Sequence, residues 1–120
     1  MPTQEVYQTY IAAWGEPDKT RRDQLLERSL ADGAFVAYPP FEANDRAGVS
    51  AFIAQLHERV PGMRIVQHSG IEVHHGWLRV GWRILLADGS TRRDGVDVAE
   101  VASDGRLRRV VGFHDPLSAL

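Results

Sequence analysis

The chain has no cysteine among its 120 residues. That absence excludes a disulfide scaffold, a thiolate nucleophile and a cysteine-ligated metal. Long apolar runs are missing too: none approaches the roughly 20 residues that span a bilayer, so no membrane partner is expected. Residues 1–6 are mostly polar, with no basic stretch leading into an apolar one. No secretory signal is read there, and a cytoplasmic location is the expectation. Charge of one sign is also lacking. Fourteen Lys+Arg stand against 16 Asp+Glu, for a formal net charge of -2. With acids interspersed among the arginines, neither nucleic acid nor an anionic surface is an expected partner. No GxGxxG or P-loop occurs, and His57, His68, His74 and His75 lack the H-E-x-x-H spacing. Neither a cofactor nor a metal is expected.

What is present is an ordinary globular composition, 43% hydrophobic and 25% charged, at the length of a single domain, 1–120. The first half reads as helical. Val6, Tyr10, Ile11 and Trp14 share one side at helical spacing, and Gly15 with Pro17 stops the run. A second helix is expected to begin at Thr20 as its cap, pack through Leu25, Leu26, Ser29 and Leu30, and end at Asp32-Gly33. Ala34 to Tyr38 has β character before Pro39-Pro40 imposes an irregular, extended connection. A third helix is expected from about Ala47 to Val60, burying Val49, Phe52, Ile53, Leu56 and Val60.

The second half changes period. Arg64 to His74, Leu78 to Ala87, Thr91 to Ala102 and Leu107 to His114 read as strands. They are separated by His75-Gly76, Asp88-Gly89 and Asp104-Gly105, each a hairpin signal. No internal repeat is read. Helices followed by an antiparallel meander make an α+β arrangement. If Ala87 faces Ser90, then Val80 lies opposite Asp97 and Trp82 opposite Gly95. If Ala102 faces Leu107, then Asp97 lies opposite Gly112 and Gly95 opposite His114. One face then carries Ile71, Val73, Leu78, Val80, Trp82, Ile84, Asp97, Ala99, Val110 and His114. The other carries Val66, Leu85, Val96, Val98, Val111 and Phe113 among Arg79, Arg83 and Glu100. Three helices cover one face only, so the outer face is expected to form a homodimer.

The helices, the segment Trp77-Leu78-Arg79-Val80-Gly81-Trp82, the run Gly95-Val96-Asp97-Val98-Ala99-Glu100 and the ending Val111-Gly112-Phe113-His114-Asp115 together resemble the SnoaL-like branch of the nuclear transport factor 2-like superfamily. The resemblance covers residues 4–115. It implies a cone of three helices packed in a curved, mixed, largely antiparallel sheet, with a pocket inside. Members include polyketide cyclases and ketosteroid-isomerase-like enzymes, and also domains with no catalytic role. The acid on the strand after the long hairpin, an acid/base in the cyclases, corresponds to Asp97. Arg83 stands near where many of them carry a histidine. Isomerase-like members use an N-terminal-helix tyrosine as oxyanion donor, to which Tyr10 corresponds approximately.

An ionised Asp in an apolar strand needs a partner or a task. Asp97 is therefore the candidate base, removing a proton next to a carbonyl, and His114 a candidate relay or orienting group from the adjacent strand. Tyr10 and Tyr38 are candidate donors to an enolate-like oxygen. Trp82, Val80 and Ile71, with Trp14 and Phe52 from the helices, are the candidate lining for a small apolar or aromatic carbonyl-bearing ligand. Two alternatives stand beside this reading: a cone that binds or merely folds without catalysis, with Asp97 locked by protein partners, and a dimeric interaction module.

Overall fold

The computed structural model describes residues 1–120. Its elements are α1 (Thr3–Trp14), α2 (Lys19–Ser29), β1 (Leu30–Tyr38), β2 (Phe41–Ala43), α3 (Arg46–Arg59), β3 (Arg64–Gln67), β4 (Glu72–His74), β5 (Trp77–Leu85), β6 (Thr91–Val101) and β7 (Leu107–His114). The sheet runs β2-β1-β7-β6-β5-β3, with β4 also paired to β5. Only the β1–β7 pair is parallel. This is the expected α+β architecture of three helices against a mixed, largely antiparallel sheet. No helix is long and apolar enough to cross a membrane.

Local chemistry moves several boundaries. The cap of α2 is Asp18, whose carboxylate accepts from the Arg21 N–H, not Thr20. An aspartate reached in extended backbone serves the free helix amides at least as well as threonine does. Asp45 does the same for Gly48 at α3. Helix α2 ends at Ser29 rather than Asp32-Gly33. Leu30 is instead fully buried and pairs with Leu107 of β7, so tertiary pairing overrides the helical period. Asp32 and Gly33 fall in an irregularity of β1, where Gly33 takes a φ of 69°. After Pro39-Pro40 the chain does not stay irregular: Phe41–Ala43 folds back on β1 as β2. The expected strand Arg64–His74 is two strands, because the Ser69 side chain accepts the Gly81 N–H at 2.7 Å where a strand carbonyl would otherwise stand. Val73, expected inside, is 52% exposed; it belongs to a three-residue edge strand paired only with β5.

The helix layer is tied together by a buried cation. The Arg22 side chain donates to Ser50 Oγ at 2.9 Å and to the Glu16 and Pro17 carbonyls at 3.1 and 3.2 Å. It thereby joins α2 to α3 and to the loop after α1.

The long hairpins have the expected register for an unexpected reason. Val80 pairs with Asp97 and Trp82 with Gly95; Asp97 pairs with Gly112 and Gly95 with His114. Yet the turns close at Leu86–Ser90 and Ala102–Arg106, one residue away from the expected pairs. A bulge restores the count in each, between Ile84/Leu85 on one hairpin and Glu100/Val101 on the other. The extra residues are Arg92 and Arg108. Both hairpins follow one pattern, Asp88-Gly89-Ser90-Thr91-Arg92-Arg93 and Asp104-Gly105-Arg106-Leu107-Arg108-Arg109, a short repeat that the sequence reading missed. In each, the Asp carboxylate accepts the N–H two residues on, and the Gly supplies positive φ.

Candidate functional site

Asp97 is buried in the middle of β6, 1% exposed. Two donors hold its carboxylate. The Tyr7 hydroxyl donates to Oδ2 at 2.9 Å and the Trp82 indole N–H to Oδ1 at 3.0 Å. A second hydroxyl pair lies alongside, with Tyr10 and Tyr38 bonded to each other at 2.8 Å. The Tyr38 hydroxyl is also close enough to favour the charged form of Asp97. No Lys, Arg or His forms an ion pair with this acid.

The local sequence explains how these groups meet. Tyr7, Tyr10 and Trp14 are spaced three and four residues apart, so α1 presents all of them on one face. Gly95 and Gly112 flank Asp97 across and along the sheet. The Trp82 ring occupies the space a Cβ on Gly95 would need, and the Tyr38 ring the space of a Cβ on Gly112. Two large rings thus lie against the sheet only because two strand positions lack side chains.

Burial is the main force on these groups. It raises the Asp97 pKa to about 7, against the opposing pull of the Tyr7 hydroxyl, the nearby Tyr38 hydroxyl and the Trp82 indole. Tyr7, Tyr10 and Tyr38 are pushed well above the usual phenol value, first by burial and then by the Asp97 charge. They therefore remain protonated donors at neutral pH. A carboxyl poised near neutrality among neutral donors can accept or release a proton at carbon.

The structure brings most of the expected residues together. Asp97, Tyr10, Tyr38, Trp82 and Trp14 form one aromatic cluster, with Trp14 edge-on to Tyr38 and to Phe52 at centroid distances of 5.2 and 6.0 Å. Val80 is buried directly opposite Asp97. Ile71 packs on the core just before β4. His114 lies across from Gly95 but makes no hydrogen bond to Asp97; its ring stands edge-on to Trp82 at 6.2 Å. Burial and the Arg93 charge hold its pKa below the usual histidine value. Arg83 is outside the cluster, held by Asp94 through bonds of 2.7 and 3.0 Å. Sequence reasoning missed Tyr7, the principal hydroxyl partner of Asp97. Its spacing from Tyr10 and Trp14 was the available signal. None of the five principal cavities is lined by Asp97; aromatic rings fill the space around it.

No protein-family profile and no curated protein matches the chain. Solved structures do. A protein of the SnoaL-like family from Agrobacterium tumefaciens strain C58, provisionally named an isomerase, is 32% identical, with 97% of this chain and 100% of that one covered and a TM-score of 0.87. An NTF2-like protein of unknown function from Exiguobacterium sp. 255-15 is 17% identical over 93% of this chain and 99% of that one, with a TM-score of 0.73. A protein from Sinorhizobium meliloti provisionally named a polyketide cyclase is 12% identical over 94% of this chain and 100% of that one, with a TM-score of 0.71. The last two likenesses speak to the fold alone.

Proposed function

Since the chain belongs to the SnoaL-like family, we propose that its cone binds a small, largely apolar carbonyl compound and exchanges a proton at the carbon beside the carbonyl without a cofactor. The observation that carries this reading is the Asp97 carboxyl, buried with no cation and held only by neutral donors. In the reaction, the carboxylate takes a proton from the carbon, and the electron pair moves to the carbonyl oxygen. The Tyr10 hydroxyl, released from its bond to Tyr38 as the ligand enters, donates to that oxygen as charge develops. Returning the same proton to a second carbon completes an isomerisation with no co-reactant. Trp82, Val80, Phe52 and Ile71 supply apolar walls, and His114 orients the Trp82 ring that holds the base.

Because rings occupy the interior, the ligand must displace one. Tyr38 is the candidate, at the end of β1 beside the Pro39-Pro40 turn, with Phe41 stacked on Phe52 at 3.9 Å just beyond it. The test uses β-tetralone in deuterium oxide, following loss of the C1 and C3 proton signals by NMR. We expect the protein to accelerate exchange and Asp97→Asn to abolish at least nine tenths of the acceleration, a loss well within the ~10²–10⁴-fold that a general base contributes. Equal exchange with both proteins across a panel of aryl ketones would sink the reading. The filled interior favours one rival, a cone whose Asp97 is a purely structural acceptor, and that outcome is the one it predicts.

We also propose that the protein is a homodimer through the outer sheet face. Phe113 is 55% and Trp77 36% exposed there, beside half-buried Val96, Val98 and Val111. Two ion pairs share this face, Arg79 with Glu72 and Arg108 with Glu100. An exposed apolar patch of this kind is a candidate site of association. Sedimentation should give a dimer for the native protein and a monomer for Phe113→Asp; a native monomer at high concentration overturns the proposal.

A further inference from the structure

We infer that the Trp14 indole N–H is the uncommitted donor that receives the ligand's oxygen, so that the cone selects neutral carbonyl compounds over hydrocarbons of the same shape. The inference rests on the binding reading above. Trp14 is 4% exposed, and its Nε1 is the one buried side-chain nitrogen or oxygen without a hydrogen-bond partner. A buried indole N–H normally finds an acceptor, and leaving it unpaired destabilises the fold. The nearest candidate is the Tyr10 hydroxyl, close enough for the indole to hold its pKa down but not in hydrogen-bonding geometry. Tyr7 and Trp82 donate to Asp97, and Tyr10 and Tyr38 share one hydrogen bond in which either hydroxyl is the donor, with the Tyr38 hydroxyl also near Asp97.

The ring is also fixed in place. It stands edge-on to Tyr10, Tyr38 and Phe52, and the Trp14 backbone carbonyl is bonded to His57 Nε2 at 2.8 Å. The donor is thus preorganised on α1 beside the Tyr10–Tyr38 pair. A ligand oxygen that takes the place of the displaced Tyr38 hydroxyl beside Tyr10 would find the Trp14 indole as its second donor. The chemistry of the arriving group follows. An indole N–H only donates, so the ligand must bring an acceptor. No cation lines the cluster and Asp97 carries the nearby charge, so that acceptor is neutral rather than anionic. A ketone or ester oxygen meets both conditions.

The test compares β-tetralone with tetralin, the same bicycle without the oxygen, using protein labelled with nitrogen-15 at its three indoles. Saturating β-tetralone should shift the Trp14 indole proton downfield, and tetralin should not. Trp14→Phe should bind β-tetralone about tenfold more weakly, the usual worth of one hydrogen bond, while its affinity for tetralin stays within twofold. Equal loss for both ligands, or a Trp14 resonance that ignores β-tetralone while that of Trp82 responds, overturns the inference and leaves binding standing. Silence of both indoles toward both compounds overturns the binding reading and this one with it. The resonance shift is read on the native protein, so a poorly folded variant does not remove the test.

Discussion

Asparagine at position 97 is expected to stabilise the protein at pH 8 and leave its stability at pH 4 almost unchanged. The direction follows from linkage. Asp97 has a folded pKa of about 7 against an ordinary value of 3.8, so the native state holds a proton that the unfolded chain releases between those limits. Well below pH 4 both states are protonated and the contribution is complete. As pH rises toward 7 stability is lost, and above 7 the loss levels off. The shift of roughly 3 units sets its limit at about 4 kcal/mol. Asparagine removes the titration but keeps the contacts: its Oδ1 still accepts from Trp82, and its amide can donate to Tyr7. Asp23, Asp88, Asp94 and Asp104 are shifted the opposite way by their partners and weaken the fold in acid. They cancel when the two proteins are compared by urea unfolding at each pH. A variant less stable than the parent at pH 8, with a parallel pH profile, would show that Asp97 is a net stabilising anion.

Alanine at Gly95 or Gly112 should act more bluntly. A Cβ on Gly95 would overlap the Trp82 ring and lie 2.6 Å from the Phe113 carbonyl, which is backbone and cannot swing aside. A Cβ on Gly112 would overlap the Tyr38 ring and lie 2.9 Å from Asp97 Oδ1. Overpacking typically costs about 1–3 kcal/mol, and both sites fall at or above the upper end, with Gly95→Ala the worse. Thermal melts should rank them that way. The Gly112 variant has a second readout, since expelling Tyr38 should enhance β-tetralone binding wherever the fold survives. Melting temperatures within a degree or two of the parent would mean the rings are not seated as described.

The burial of Asp97 could be read from the chain because strand alternation puts it with Ala99 and opposite Val80, and because the bulge in each hairpin cancels the one-residue offset of its turn. Its neighbours were legible in proportion to how much they depend on backbone alone. Val80, Gly95 and Gly112 follow from register. Tyr7 does not, since two adjacent positions on α1, Val6 and Tyr7, are both buried, and only the three-dimensional approach of α1 decides which one meets the acid. The Trp82 indole reaches Asp97 diagonally, over Gly95, through a side-chain rotation that alternation does not encode. The start of β1 was missed for a similar reason: Leu30 continues the helical period of α2 as well as it begins a strand, and only its partner Leu107 separates the two.

The paired bulges at Arg92 and Arg108 separate two properties of a sheet that usually travel together, which residues are neighbours and how tightly the surface curls. Arg92 bends β6 near its start and Arg108 bends β7 beside the far end of β6, with Asp97 between the two bulges. Removing both would leave Asp97 facing Val80 and Gly112 as before, because each is the residue left out of the pairing. What would change is the radius of the concave wall. The curvature of the wall that carries the acid is therefore adjustable from its two distant rims, independently of the residues that face the helices.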